Sequence, residues 1–240
     1  STNPFELAPV MEGELEADAI LWVGNPGENG FYSMGRILCG DVNPSGRTYD
    51  IQVRDIKKGP EMANFGSFRY EIDGDRTRRY YVEYEEGMYM GYRYYETAHD
   101  IKASGFTYGE LDGKGGVKTA GAVTYPFGYG LSYTTFVQTI ESYSDRGDDI
   151  TVRVNVKNDG DVAGKEVVQL YYDPPYTDFD EESKIEKPTA TLVAFTKTDV
   201  IEPGDDVTVE LKFSKEEMSS YCYTRENPDG TEGCYMLEAG

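Results

Sequence analysis

The side chains able to do chemistry in this sequence are two acidic runs, one histidine, three cysteines and an unusual density of tyrosine. Glu83, Glu85 and Glu86 lie beside aromatics, and Asp178-Phe-Asp-Glu-Glu182 forms the second run. Carboxylates act as general acid and base only when they face one another across a substrate. Neither run has an opposing partner in the sequence, so both are read as solvated surface. His99 falls in a polar loop, and no Ser or Cys has a motif that would make it a nucleophile. Gly24-x-x-Gly27-x-x-Gly30 departs from the dinucleotide fingerprint and has no acidic residue at the end of a second strand, so it is read as a turn. Arg146-Gly-Asp148 is read as a short turn between strands rather than an adhesive motif. Asp73-Gly-Asp75 and Asp159-Gly-Asp161 carry too few oxygen ligands in register for a calcium loop. No catalytic residue, metal site or cofactor is assigned from these residues.

The tyrosines offer a different chemistry. Residues 57–110 include Phe68-Arg-Tyr70, Tyr80-Tyr-Val-Glu-Tyr84 and Tyr89-Met-Gly-Tyr-Arg-Tyr-Tyr95. Rings at this density can stack on the C–H face of a sugar, although tyrosines half-buried under long loops are the preferred reading. The formal charge of −21 repels phosphate backbones and anionic lipid surfaces, which excludes nucleic acid and membrane as expected partners and leaves neutral ligands such as sugars. No apolar run approaches the ~20 residues that cross a bilayer, and the first residues lack the basic and apolar regions of a signal peptide, so a soluble protein is expected. Cys39, Cys222 and Cys234 cannot all pair within the chain, and their spacing does not resemble a zinc site. Cys222 and Cys234 could share neighbouring strands, but the count fits a reducing compartment, or an anaerobe's secreted protein, better than a disulfide scaffold. The compartment stays open, with cytoplasm favoured over secretion.

The elements that must carry these residues fall into two halves, within the 240 residues that could form one large or two ordinary domains. Ala19-Ile-Leu-Trp-Val23 has the continuous apolar character of a strand buried on both faces. The spacing of Phe31, Met34, Ile37 and Leu38 predicts a short helix that stops at Gly40. Asn43-Pro-Ser-Gly46 predicts a tight turn, Thr48–Val53 an extended segment, Asp73-Gly-Asp75 a hairpin turn, and Asp112–Gly121 a flexible loop. A doubly buried strand needs neighbours on both sides, and residues 1–60 hold too few, so part of this domain is expected to lie outside the chain. From Phe136 the period changes to two, cleanest in Ile150–Val156 and Val207–Phe213. Seven candidate strands follow: 136–144, 150–156, 165–172, 191–198, 207–213, 221–224 and 234–238. With turn clusters such as Asn158-Asp-Gly-Asp161 between them and no helix of any length, they predict an antiparallel β-sandwich. Joining the halves is Tyr125-Pro-Phe-Gly-Tyr-Gly-Leu-Ser-Tyr-Thr-Thr-Phe136, which reads as a hinge. Its Gly128 and Gly130 would permit turns or close backbone approach, and its aromatics are expected to be buried between the halves.

Pro126–Phe136 resembles the signature that closes the α/β sandwich of glycoside hydrolase family 3 and opens its fibronectin type III-like domain. Ala19–Gly27, Gly40-Asp-Val-Asn-Pro-Ser-Gly-Arg47, Glu86–Tyr95 and Ala163-Gly-Lys-Glu-Val-Val-Gln-Leu-Tyr-Tyr172 resemble the same family in the same order. The resemblance implies a partial, flavodoxin-like α/β sandwich over residues 1–135, and a fibronectin type III-like β-sandwich, cut short at its C-terminus, over 136–240. It implies a role in a retaining, exo-acting β-glycosidase of β-glucosidase type, in which an aspartate on a TIM barrel attacks the anomeric carbon and a glutamate of the α/β sandwich donates the proton. Neither carboxylate maps onto this chain, which alone is expected to be inactive. The partners it implies are the TIM barrel, the remainder of the sandwich and, through the full enzyme, a carbohydrate. Tyr89, Tyr92 and Arg93 would shape the rim of the sugar pocket. Thr48-Tyr49 stands where members commonly have Leu-Pro, a departure that weakens transfer of substrate preference. Apolar faces around Ile20–Trp22, lacking neighbours, would favour a homodimer of the separate chain. The alternative reading is a carbohydrate-binding or scaffold module without hydrolytic activity.

Overall fold

Alternating burial is imposed on a strand when one of its faces meets a core, and Ile150–Val156 shows this most clearly. The computed structural model describes residues 5–66, 68–69, 80–227 and 229–237. Within them the chain runs through α1 (Ala8–Met11), α2 (Gly30–Leu38), β1 (Gln52–Val53), α3 (Pro60–Asn64), β2 (Phe68–Arg69), β3 (Tyr80–Tyr81) and α4 (Tyr92–Asp100). It continues through β4 (Glu110–Leu111), β5 (Val117–Thr119), β6 (Val123–Tyr125), β7 (Phe136–Arg146), β8 (Asp149–Asn158), β9 (Val167–Tyr172) and α5 (Asp178–Ser183). The last elements are β10 (Thr191–Lys197), β11 (Asp206–Ser214), β12 (Ser220–Glu226) and β13 (Glu232–Met236). The architecture is thus mixed, with sheets and few helices, and the pairings among these strands are antiparallel.

The second half is a β-sandwich. β8 lies between β11 and β7, and β9 pairs with β10 in a second layer. Ile150, Val152, Val154 and Val156 project from one face of β8 and meet Leu211 and Phe213 of β11 and Val168 of β9. Leu170, Val193 and Ala194 pack partly buried against the same cluster. Each of the seven expected strands is present, with its ends moved by a few residues. β7 presents Val137, Ile140 and Tyr143 to solvent. Gly147 and Asp148 turn the chain from β7 to β8, with Arg146 opposite Asp149, so Arg146-Gly-Asp148 is a turn as expected.

Two polar residues read as surface are instead interior. Asn158, expected in a turn cluster, is 0% exposed. Its Nδ2 donates to Val162 O and Ile201 O, both at 2.9 Å, while Oδ1 accepts from Thr134 Oγ1 at 2.6 Å and from Gly160 N at 3.2 Å. All of its hydrogen-bonding capacity is used, which allows an amide to close the end of an apolar core. The acidic run 178–182 forms the helix α5, where no helix was expected, and its Asp180 is fully buried. Thr177 N and Oγ1 donate to Asp180 Oδ2 at 2.7 and 2.8 Å, and Lys187 Nζ lies 2.7 Å from Oδ1. Burial opposes the Asp180 charge, yet Lys187 and the Thr177 donors outweigh it and hold the carboxyl below its ordinary range.

The first half is organised by a small core of Ile51, Tyr95 and Val123, with Tyr92, Tyr94, Phe106 and Tyr108 packed against it. β1 pairs with β6 under this core, so the extended segment expected over 48–53 yields a strand of two residues. α2 forms where expected and ends as Cys39 N donates to Gly35 O and Gly40 N to Ile37 O. Ala19–Val23, by contrast, forms no strand, and Ile20, Leu21 and Val23 are 38–39% exposed. A strand exists only through a ladder, and this segment has no ladder partner among the described residues. α4 was not expected. Its tyrosines, following Gly91, read as loop, but burial of Tyr95 and Ala98 one turn apart fixes a helix. His99 therefore sits in the last turn of α4, exposed, rather than in a loop. Asp112–Gly121 is likewise ordered as the β4–β5 hairpin, where Asp112 Oδ1 accepts from Lys114 N and Gly116 N. The turn Asp73-Gly-Asp75 lies outside the described residues, and β2 and β3 pair on either side of it.

Candidate functional site at the junction of the two halves

Asn43-Pro-Ser-Gly-Arg47 makes no tight turn. It is laid across the second half by its side chains, whose polar ends find partners about half the chain away. Asn43 Oδ1 accepts from Ser132 Oγ at 2.9 Å and Tyr133 N at 2.8 Å, while Nδ2 donates to Ala163 O at 3.1 Å. Arg47 Nη2 lies 2.6 Å from both carboxylate oxygens of Glu166, and Nη1 donates to Gly130 O. The pair is shielded, with side chains 17% and 7% exposed. Val167 N donates to Glu166 Oε1 at 2.9 Å, and Glu166 N donates to Thr198 Oγ1 at 3.0 Å, anchoring the acid to the β-sandwich. A guanidinium suits this place because it stays charged when shielded and can bond the carboxylate and a carbonyl at once.

Thr48 continues the attachment with four bonds. Its N donates to Tyr129 O at 2.8 Å, Gly128 N donates to its O at 2.8 Å, and its Oγ1 accepts from Tyr129 N and donates to Pro126 O, both at 2.9 Å. Segment 125–136 is consequently pinned at both sides. It is a strap where the sequence read as a hinge. Close approach explains those glycines: a Cβ on Gly130 would fall 2.4 Å from Gly46 O, and one on Gly128, whose φ is +77°, 2.2 Å from Gln169 Oε1. The first aromatics of the strap are half-buried in pairs, Tyr125 on Tyr129 with centroids 4.8 Å apart and Phe127 on Tyr92 of α4 at 4.6 Å. Tyr133 is more open, 47% exposed, with its hydroxyl donating to Ile37 O at 2.9 Å.

Of the residues expected at a pocket rim, Tyr92 lies against this strap. Tyr89 is half-buried and its hydroxyl accepts from Lys187 N at 3.3 Å; burial pushes its pKa up. Tyr92, also half-buried, accepts from Leu192 N at 3.0 Å and meets Tyr171 edge-on at 6.1 Å. Burial pushes Tyr171 up to about 12. Arg93 follows on α4, and its Nε is buried with no hydrogen-bond partner. Tyr89 thus holds the segment before β10 and Tyr92 the start of β10 itself, while Arg93 keeps an unused donor.

A second group was not legible in the sequence. Tyr108 donates to Glu96, and His99 lies against the Tyr108 ring with centroids 5.1 Å apart. Burial raises the pKa of both Glu96 and Tyr108. Beside them a cavity of about 430 Å³ is lined by His99, Asp100, Lys102, Tyr108, Glu110 and Thr119 among others. Glu96 and Asp100 are four residues apart on one helix, so they line one face rather than opposing each other across a substrate. Among the described residues no cluster of three His, Cys, Asp or Glu could hold a metal ion. Among them, too, no helix is long and apolar enough to cross a membrane.

Residues 1–92 match the glycosyl hydrolase family 3 C-terminal domain, and residues 166–240 match the fibronectin type III-like domain. The chain belongs to glycoside hydrolase family 3. Arg47 lies inside the first matched segment and Glu166 opens the second, so the ion pair joins the two family 3 regions. Beta-glucosidase A of Butyrivibrio fibrisolvens is 33% identical over 225 residues, covering 88% of this chain and 23% of its own length. A beta-glucosidase of Ruminococcus albus is 31% identical, covering 87% of this chain and 18% of its own. Beta-glucosidase 3B from Thermotoga neapolitana, solved in complex with glucose, superposes with a TM-score of 0.67 at 32% identity, over 90% of this chain and 25% of that one. The chain therefore spans about a fifth of the length of these curated relatives.

Proposed function

We propose that this chain is the non-catalytic C-terminal part of a retaining, exo-acting β-glycosidase that hydrolyses terminal β-D-glucosides or related β-glycosides. Residues 1–135 would be the end of a flavodoxin-like α/β sandwich with its Tyr-rich connecting segment, and 136–240 a fibronectin type III-like domain. Its task is to pack on the catalytic domains and complete them, while a TIM barrel and the remainder of the sandwich supply the nucleophile and the proton donor. The observation that carries this reading is the shielded Arg47–Glu166 pair with the Asn43 Nδ2–Ala163 O bond, which ties residues before 136 to residues after it. Such a platform can hold a neighbouring domain in register, as catalysis by two carboxylates on different domains demands. Tyr89, Tyr92 and Arg93 would form the rim of the sugar pocket. The exposed Ile20, Leu21 and Val23 would be covered by the rest of the sandwich, or by a second copy when the chain is expressed alone.

The test is reconstitution. A companion polypeptide carrying the barrel and the preceding part of the sandwich is assayed on an aryl β-glucoside with and without this chain. Activity that appears only on mixing is expected, together with no turnover by this chain alone. Ordinary turnover by the isolated chain would overturn the reading, and saturable oligosaccharide binding without any rescue would favour a binding module.

A further inference from the structure

The two cysteines of the last hairpin stand directly opposite each other. Cys222 on β12 is paired in register with Cys234 on β13, and neither is in a disulfide. The neighbouring pair confirms the register through its side chains: Tyr221 and Tyr235, also opposite, meet edge-on with centroids 5.2 Å apart on the outer face. Side chains alternate along a strand, so Cys222 and Cys234 must share the inner face. Their exposure agrees, since Tyr221 and Tyr235 are exposed whereas Cys222 is 0% exposed and Cys234 half-buried. Residues directly opposite in an antiparallel ladder have Cα atoms about 4.5–5.5 Å apart. That interval lies inside the roughly 4.4–6.8 Å a disulfide requires. Cys222 Sγ now rests 3.3 Å from Thr224 Oγ1, so bond formation needs a side-chain rotation that gives up this contact, and no movement of the strands.

We propose that Cys222 and Cys234 are a dithiol that closes to a cross-strand disulfide when the chain meets a small-molecule disulfide such as oxidised glutathione. Cys234, the more accessible thiol, attacks as thiolate and forms a mixed disulfide, releasing one reduced glutathione. Cys222 then attacks Cys234 Sγ, the intramolecular bond forms, and a second reduced glutathione leaves; the two cysteines lose two protons and two electrons in all, which the oxidant takes up. The Thr224 hydroxyl lowers the Cys222 pKa and so favours the second step. Cys39, exposed on the far side of the sequence next to α2, has no role in it.

The experiment treats the full chain with oxidised glutathione, then counts free thiols after denaturation and maps linked peptides by mass spectrometry. Of the three thiols, only Cys39 should remain free of Cys–Cys linkage, and one peptide pair should join position 222 to 234, with the reduced state regained in dithiothreitol. Cys39→Ser should form the same link and Cys234→Ser should form none. A chain that keeps its Cys222 thiol while Cys234 carries a lasting glutathione adduct refutes the proposal. So does a product linked only through Cys39 between two copies.

Discussion

Replacing Arg47 by leucine should unfold the molecule far more readily than any exposed charge change. The substitution leaves the Glu166 carboxylate, 7% exposed, held by Val167 N–H, and removes the donor to Gly130 O as well. Breaking a shielded ion pair from one side costs about 3–5 kcal/mol, because the surviving charge stays out of water without compensation. For a chain of this size each kcal/mol moves the thermal midpoint by roughly 2–4 °C, giving an expected loss of about 6–20 °C. Urea unfolding of wild type, Arg47→Leu, Glu166→Leu and the double variant provides the assay. An apolar pair leaves no uncompensated charge, so the double variant should be more stable than the sum of the single losses implies. Lys118→Ala, which removes an exposed partner of Glu110, serves as the control and should leave the midpoint in place. A single-variant loss under about 1 kcal/mol, or a cycle that adds to within ~0.5 kcal/mol, would refute the reasoning.

Gly130→Ala should destabilise by about 1–3 kcal/mol, since its Cβ meets a backbone carbonyl that cannot swing aside, whereas Gly35→Ala in the open middle of α2 should stabilise by about 0.5–1 kcal/mol. Equal midpoints for the two in urea would contradict the close approach of Gly46 and Gly130. Asp180→Asn should cost about 3 kcal/mol at neutral pH by removing the charge that faces the buried Lys187 ammonium. The carboxyl's folded pKa is depressed, so its stabilisation is present above the unfolded value near about 3.9 and is lost as pH falls through the lower folded value. The gap between wild type and Asp180→Asn in unfolding experiments should therefore narrow below about pH 4, and a constant gap across that range would sink the assignment.

The sequence by itself determined the β-sandwich, because a strand with one face on a core writes its burial into a local period of two that needs no knowledge of distant residues. Ile150–Val156 and Val207–Phe213 carry that period, and both lie where expected, as does α2. It also marked the junction, in that Asn43–Arg47, Pro126–Phe136 and Ala163–Tyr172 resembled one family before their contacts were visible. Tertiary structure decided what those segments do. Arg47 and Glu166 are 119 positions apart, and no local pattern tells the arginine that its partner is there. The same physics explains the misreadings: Asp180 and Asn158 look like surface residues until Lys187 pairs with the one and the distant Ile201 carbonyl accepts from the other, α4 exists because Tyr95 found a core, and Ala19–Val23 is no strand because a ladder needs a second chain segment beside it.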